Sequence, residues 1–308
     1  MSTLASRLED YLAMRRGLGF ILKSEGTALP SFVEFMELNN AVTITNKLAL
    51  SWAMLPKNVK PNQWSRRLSF VRGFAKYCYA FDQCSEVPAS QLLPFCKQRS
   101  SPYYFSDADI KYLLDKSLVQ RESAGVSGRT THCILSLLCT TGLRISEALR
   151  LDITDFNTEK GVLYVNSSKF GKSRIIPLHS SMVVFLKDYL SYATNNIATC
   201  NTAALFKKTN PHRVSYDNIY RRFRHICDDL PDQPGRRRPT LHGLRHRFAV
   251  KTLLNWYNDG IDVDLWLPVL STYMGHVEVR DTYWYISAYP ELMDAARRRL
   301  EARWEDRS

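Results

Sequence analysis

The stretch LHGLRHRFAV, residues 241–250, sets His242, Arg245 and His246 within about one helical turn. An imidazole and a guanidinium at i, i+3 share a helix face. Leu241, Leu244, Phe248, Ala249 and Val250 flank them as apolar anchors. Three chemistries suit the arrangement: a structural ion pair, half of a zinc site through His242 and His246 at i, i+4, or a clamp for an anion. The zinc hydrolase pattern needs Glu after its first histidine, and Gly243 stands there. No paired-cysteine set completes a tetrahedron. Neither a metal nor a cofactor is expected.

Three further segments carry reactive side chains. TGLRISEALRL holds Arg144 and Glu147, and SSKFGKSRIIPLH holds Lys169 at a turn with Lys172 and Arg174 beside it. MGHVEVRDTYWY holds His276, Tyr283 and Tyr285. Each has an ordinary structural reading when taken alone. An Arg three residues before a Glu is usually a surface pair of small worth. A turn lysine is usually solvated, a single histidine structural, and a tyrosine among aromatics part of a core.

Taken together and in order, the segments resemble the tyrosine recombinase (phage integrase) family. The shared pattern is Arg, hairpin Lys, H-x-x-R, G-H, then Tyr nine residues after that histidine, met by Arg144, Lys169, His242, Arg245, His276 and Tyr285. K-x-x-K-x-R around the hairpin also fits. The resemblance covers most of residues 105 to 295. From Asn255 to Tyr285 it is nearest to recombinases carried by mobile elements. It implies a metal- and ATP-independent DNA strand transferase that works through a 3′-phosphotyrosyl intermediate. It further implies duplex DNA with inverted half-sites as partner, bound by a homo-oligomer, a tetramer on DNA, or by a mixed assembly with sister recombinases. Two other readings share the fold: type IB topoisomerase-like strand relaxation, and a catalytically idle DNA-binding accessory subunit.

The residue types suit that chemistry. Breaking a phosphodiester without metal requires a nucleophile, stabilisation of an anionic transition state, and a proton for the leaving 5′-oxygen. Arg144 and Arg245 can fork onto the non-bridging oxygens and stay charged at any working pH. Lys169 on a flexible turn suits a general acid, and His276 a hydrogen-bond donor to phosphate. A tyrosine, with an ordinary pKa of about 10, becomes a usable nucleophile beside cations and a base, here His242. Tyr283 and Tyr285 point roughly 200° apart on a helix, so only one faces the phosphate. The family spacing selects Tyr285, which leaves Tyr283 and Trp284 to pack. Glu147 and His246 are expected behind these groups, orienting them.

The elements that must hold these residues read as mainly α with a small antiparallel β-hairpin or sheet. Residues 1–95 are expected to form a helical DNA-binding (core-binding) domain. Its helices are predicted from Leu8 through Leu18 and Phe20, over Ser31–Leu38, over Leu48–Leu55 and over Gln63–Phe81. The last carries Arg66, Arg67, Arg72 and Lys76 on its outer face, and these with Lys172 and Arg174 are candidates for DNA backbone contacts. Residues 96–105 read as a linker with Pro102. Residues 106–289 form the mixed α/β catalytic domain, opened by the N-cap pattern Ser106/Asp109. In it, Thr131–Cys139 is an apolar helix interrupted by Gly142. GVLYVNSS and SRIIPLH form the hairpin, and helix resumes after Pro177. Residues 290–308 form a terminal helix whose stripe of Met293, Ala296, Leu300 and Trp304 needs a partner surface. It either packs on its own domain or docks on a neighbouring protomer and closes a ring.

The bulk composition agrees. The 308 residues carry a formal net charge of +12, and the pI of about 9.4 favours a polyanionic partner. No apolar run approaches the roughly 20 residues that span a bilayer. Seven cysteines without a C-x-x-C suggest reduced, buried thiols. A cytoplasmic, nucleoid-associated protein is expected.

Overall fold

A computed structural model describes residues 3–95, 102–166, 173–196, 203–209 and 212–305, apart from the side chains of 287, 288, 290 and 302–305. Among the described residues the protein is mainly helical, with one three-stranded antiparallel sheet. The chain divides into two compact units, Met1–Arg99 and Ser100–Ser308.

The first unit is a helical bundle of α1 (Leu4–Gly17), α2 (Lys23–Leu38), α3 (Asn46–Met54) and α4 (Pro61–Tyr79). Leu29, Phe32, Met36, Trp52, Val71 and Phe74 fill its core. Most boundaries shift by a few residues from the sequence reading, two of them for a physical reason. The first helix stops at Gly17, so Leu18 and Phe20 are exposed and do not extend its apolar side. The second begins eight residues earlier than predicted and runs through Pro30. Proline normally signals a helix start or break because its ring removes a donor; packing of Leu29, Phe32 and Met36 carries the helix through it.

The second unit opens with Tyr103 and Phe105 buried in its core, although the sequence places them in a polar connecting stretch. Then come α5 (Asp107–Val119), α6 (Gly128–Thr141) and the short α7 (Ile145–Ala148). Ser106 and Asp109 form the expected capping box. α6 is apolar on most of its circumference and lies at the centre of the core. The sheet follows as β1 (Phe156–Asn157), β2 (Val162–Val165) and β3 (Arg174–Pro177), in the order β1-β2-β3. Leu163 opposes Ile176 and both are buried, the alternation expected of a sheet with one wet face. β1, only two residues long, is too short to carry a period in the sequence.

After Pro177 the chain returns to helix in α8 (Ser180–Asn196), α9 (Tyr216–Cys227), α10 (Leu241–Asn258), α11 (Val263–Met274), α12 (Arg280–Ala288) and α13 (Pro290–Glu305). Isolated bridges, Asp152 to Ala204 and Lys207 to Arg213, interrupt the helical run. A second core in this unit joins Ala249, Leu253, Leu267, Met274, Tyr285, Tyr289 and Leu292.

The terminal helix has two apolar faces. α13 packs on α10 and α12 of its own chain through Leu292 and Ala295, with Tyr289 buried just before it. Arg299 donates to the Ile261 carbonyl. The predicted stripe is not the docked face: Met293 is 53% exposed and Leu300 51%. Trp304's side chain lies outside the described residues.

Candidate active site

Four backbone features bring the reactive side chains together. α6 ends at Gly142, whose φ of +61° is a left-handed helix cap. A Cβ there would meet the Phe248 ring at 2.4 Å. The turn that follows sets Arg144 at the start of α7, with Glu147 on the same short helix. Thr240 caps α10 by accepting from the Gly243 N–H at 3.0 Å, and the first turns of α10 present His242, Arg245 and His246. α11 ends at Gly275 with φ +66°, which turns the chain so that His276 and then α12, bearing Tyr285, return to the same place.

The arginines are held by backbone carbonyls. Arg245, 1% exposed, donates from Nη1 to the Gly142 carbonyl at 2.8 Å and from Nη2 to the Met274 carbonyl at 2.5 Å. Arg144 donates to the Gly275 carbonyl at 3.0 Å and to Glu147 Oε1 at 2.8 Å. The Glu147 carboxylate also accepts from the Arg144 backbone N–H at 3.0 Å. Burial alone would raise the Glu147 pKa, but hydrogen bonds from Arg174 and from Arg144 outweigh it and hold the carboxyl at about 2. Burial lowers the Arg245 pKa to about 10, with Arg144 pushing the same way.

The aromatic groups form a contiguous cluster. The Tyr285 ring is 2% exposed. It lies 6.1 Å from the His276 ring, stacked, and 5.3 Å from the His246 ring, edge-on. His246 contacts His242 at 4.5 Å between ring centroids. His276 Nδ1 is hydrogen-bonded to Thr282 Oγ1 at 2.8 Å. Burial raises the Tyr285 pKa, and the Arg245 guanidinium beside its hydroxyl opposes that rise. His242 and His276 are both lowered to about 4, first by burial and then by Arg245 and Arg144. Both imidazoles are therefore neutral near pH 7.

The structure thus gathers Arg144, Glu147, His242, Arg245, His246, His276 and Tyr285. Lys169 and Lys172 lie outside the described residues. Tyr283 is 48% exposed and so does not pack as expected. Arg174, expected on DNA, instead points inward to Glu147 and to the Tyr273 carbonyl.

In the first unit, two of the expected DNA contacts are occupied within the fold. Arg67 stacks 3.7 Å over the Trp52 ring and donates to the Trp52 carbonyl. Arg72 donates to the Pro88 and Ala89 carbonyls. Arg66, bonded to Ser24, and Lys76 are exposed. Thr282 and the 273–275 carbonyls were not singled out from the sequence. A threonine between G-H and the tyrosine is the one signal that could have found Thr282.

Residues 110–291, more than half of the chain, match the phage integrase family. The chain belongs to that family, the tyrosine recombinases. Along its full length it is 40% identical, over 317 aligned residues covering all of both chains, to a protein of Sinorhizobium fredii (strain NBRC 101917 / NGR234) that carries the name integrase/recombinase y4rB. It is 28% identical to the tyrosine recombinase XerC of Pelobacter propionicus (strain DSM 2379 / NBRC 103807 / OttBd1), over 76% of this chain and 71% of that one. Among solved structures it resembles the Tn1549 transposon integrase in complex with transposon right end DNA. The TM-score is 0.66 at 17% identity, covering 98% of this chain and 99% of that one. A lambda integrase tetramer bound to a Holliday junction also gives a TM-score of 0.66, at 16% identity over 92% of this chain and 77% of that one. Those two likenesses speak to the fold. The family makes this chain a site-specific DNA recombinase or integrase, a DNA breaking-rejoining enzyme. No helix among the described residues is long and apolar enough to cross a membrane.

Proposed function

We propose that this recombinase cuts one DNA strand at a time with Tyr285, supported by Arg144, Arg245, His242, His276 and Lys169. The observation that carries the reading is the convergence of Tyr285 with two histidines and Arg245 in one cluster drawn from α10, the end of α11 and α12. The Tyr285 hydroxyl attacks phosphorus and its proton passes to neutral His242. Arg144 and Arg245 take up the charge that builds on the non-bridging oxygens, an effect expected to be the largest catalytic term. The bond to the 5′-oxygen breaks, and Lys169 protonates that oxygen. A Thr282 hydroxyl donating to His276 Nδ1 leaves Nε2–H to donate to the phosphate. The 3′-phosphotyrosyl bond conserves the energy of the phosphodiester, so another 5′-hydroxyl can reseal it without fuel.

The substrate we propose is duplex DNA with inverted half-sites, bound by four copies or by a mixed set with sister recombinases, in the service of a mobile element. Support comes from what solved structures of like fold hold: XerH bound to palindromic difH substrate, the Tn1549 integrase on transposon DNA, and the lambda integrase tetramer on a Holliday junction. The test is a nicked suicide substrate built from the DNA flanking the gene. A covalent protein–DNA adduct formed in chelator without nucleotide supports the reading. An adduct that requires a divalent metal at constant ionic strength overturns it.

A further inference from the structure

We infer that Arg174 is a positioning residue for strand cleavage, holding Arg144 in place through Glu147. The inference rests on the reading of Arg144 as a phosphate clamp. Every nitrogen of the Arg174 guanidinium is engaged inside the protein. Nε donates to the Tyr273 carbonyl at 2.8 Å, Nη1 to Glu147 Oε1 at 3.1 Å and Nη2 to Glu147 Oε2 at 2.8 Å. Its side chain is only 10% exposed. Glu147 is thus gripped by a bidentate fork on one side and by Arg144 on the other.

The second observation is the end of α11. Three consecutive carbonyls there, those of Tyr273, Met274 and Gly275, each accept from a different arginine: Arg174, Arg245 and Arg144. The last carbonyls of a helix lack partners within it and carry partial negative charge. One helix end therefore sets the spacing of all three guanidiniums, with His276 directly after it. Gly275 is part of the device, because a Cβ there would lie 2.9 Å from Arg174 Nη1. Arg174 sits at the start of β3, so it also ties the sheet to this centre.

The test compares Arg174→Met, Glu147→Gln and the double variant in single-turnover cleavage of the suicide substrate. Half-site affinity is measured for each in a Tyr285→Phe background. Arg174→Met should slow cleavage by roughly 10²-fold at saturating protein, with affinity changed by less than about 3-fold. The double variant should cleave no more slowly than Glu147→Gln alone, because both changes break one path. Cleavage by Arg174→Met should also fall more steeply than wild type as pH drops from 8 to 5.5, since a buried Glu147 without its fork takes up a proton. If Arg174→Met does not fold, Arg174→Lys carries the same comparison. Additive losses would overturn the inference. So would a parallel fall in affinity with a salt slope smaller by about 1, the mark of an ordinary phosphate contact. Arg144→Lys serves as control: normal cleavage by that variant defeats the phosphate-clamp reading itself.

Discussion

The rings of His276 and Tyr285 are stacked with centroids 6.1 Å apart and planes 27° from parallel, and Thr282 fixes the histidine by a hydrogen bond at Nδ1. Tyr283, two residues back on the same helix, is half exposed. Tyr285→Phe should therefore form no covalent adduct with a suicide substrate on a denaturing gel, while Tyr283→Phe should form it at near wild-type rate. An adduct formed by Tyr285→Phe would move the nucleophile elsewhere.

Arg144 and Arg245 are each held by carbonyl groups that fix the plane of the guanidinium. Lysine at either place keeps a charge and loses the fork. Cleavage should drop by about 10²- to 10³-fold, while half-site affinity on a native gel stays within about 3-fold. Equal losses in both measurements would reduce these residues to backbone contacts.

Glu147 is buried between two guanidiniums. Glu147→Gln leaves two cations facing a neutral amide and should cost about 3–5 kcal/mol of stability. The urea midpoint reads this directly, and an unchanged midpoint would show that the pairs contribute little.

Acid should weaken the fold through a histidine. In the folded protein the half-buried His276 sits at about 4, below its ordinary 6.5. As pH falls from 6.5 toward 4 the unfolded chain takes up a proton that the folded chain refuses, so stability is lost across that window. Melting temperature should fall between pH 7 and pH 5, and less so in His276→Asn. Glu147 adds a second loss below its ordinary 4.5, as pH falls toward its folded value of about 2. A melting temperature level from pH 7 to 5 would contradict the histidine assignment.

The terminal helix separates two faces cleanly. Leu292 is fully buried against the domain, whereas Met293 and Leu300 face outward. Leu292→Ala should cost about 2–5 kcal/mol. The pair Met293→Ala and Leu300→Ala should leave the melting temperature within about 2 °C, as expected of exposed positions. If the outward pair instead governs assembly, its loss will show as a missing synapse on a native gel with no change in melting.

The catalytic residues are more legible in the sequence than the groups that support them. The hairpin, the α10 segment and the glycine at the end of α6 left clear signals: β-branched runs around a turn, i, i+3 spacing, and an interruption in an apolar helix. The carbonyl acceptors at 273–275 left none, because every residue has a carbonyl and only the fold decides which one is aimed. The inward turn of Arg174 is hidden in the sequence for a related reason. A basic residue beside two lysines on a hairpin looks solvated, and its inward turn depends on a carboxylate 27 positions earlier. In α13 two apolar faces compete, Leu292–Ala295 and Met293–Ala296–Leu300. Periodicity alone does not say which one the domain will cover.

Gly142 and Gly275 give the enzyme a genetic vulnerability that its reactive groups do not reveal. Both hold left-handed backbone, and at both a Cβ would run into a neighbouring side chain, Phe248 in one case and Arg174 in the other. Any missense change at either codon that adds a side chain spares every titratable group yet disturbs the frame around the arginines. Copies of the gene drifting toward inactivity should accumulate lesions at these two codons as readily as at Arg144 or Tyr285. A recombination screen of random single substitutions should return alanine and serine at 142 and 275 among its dead clones.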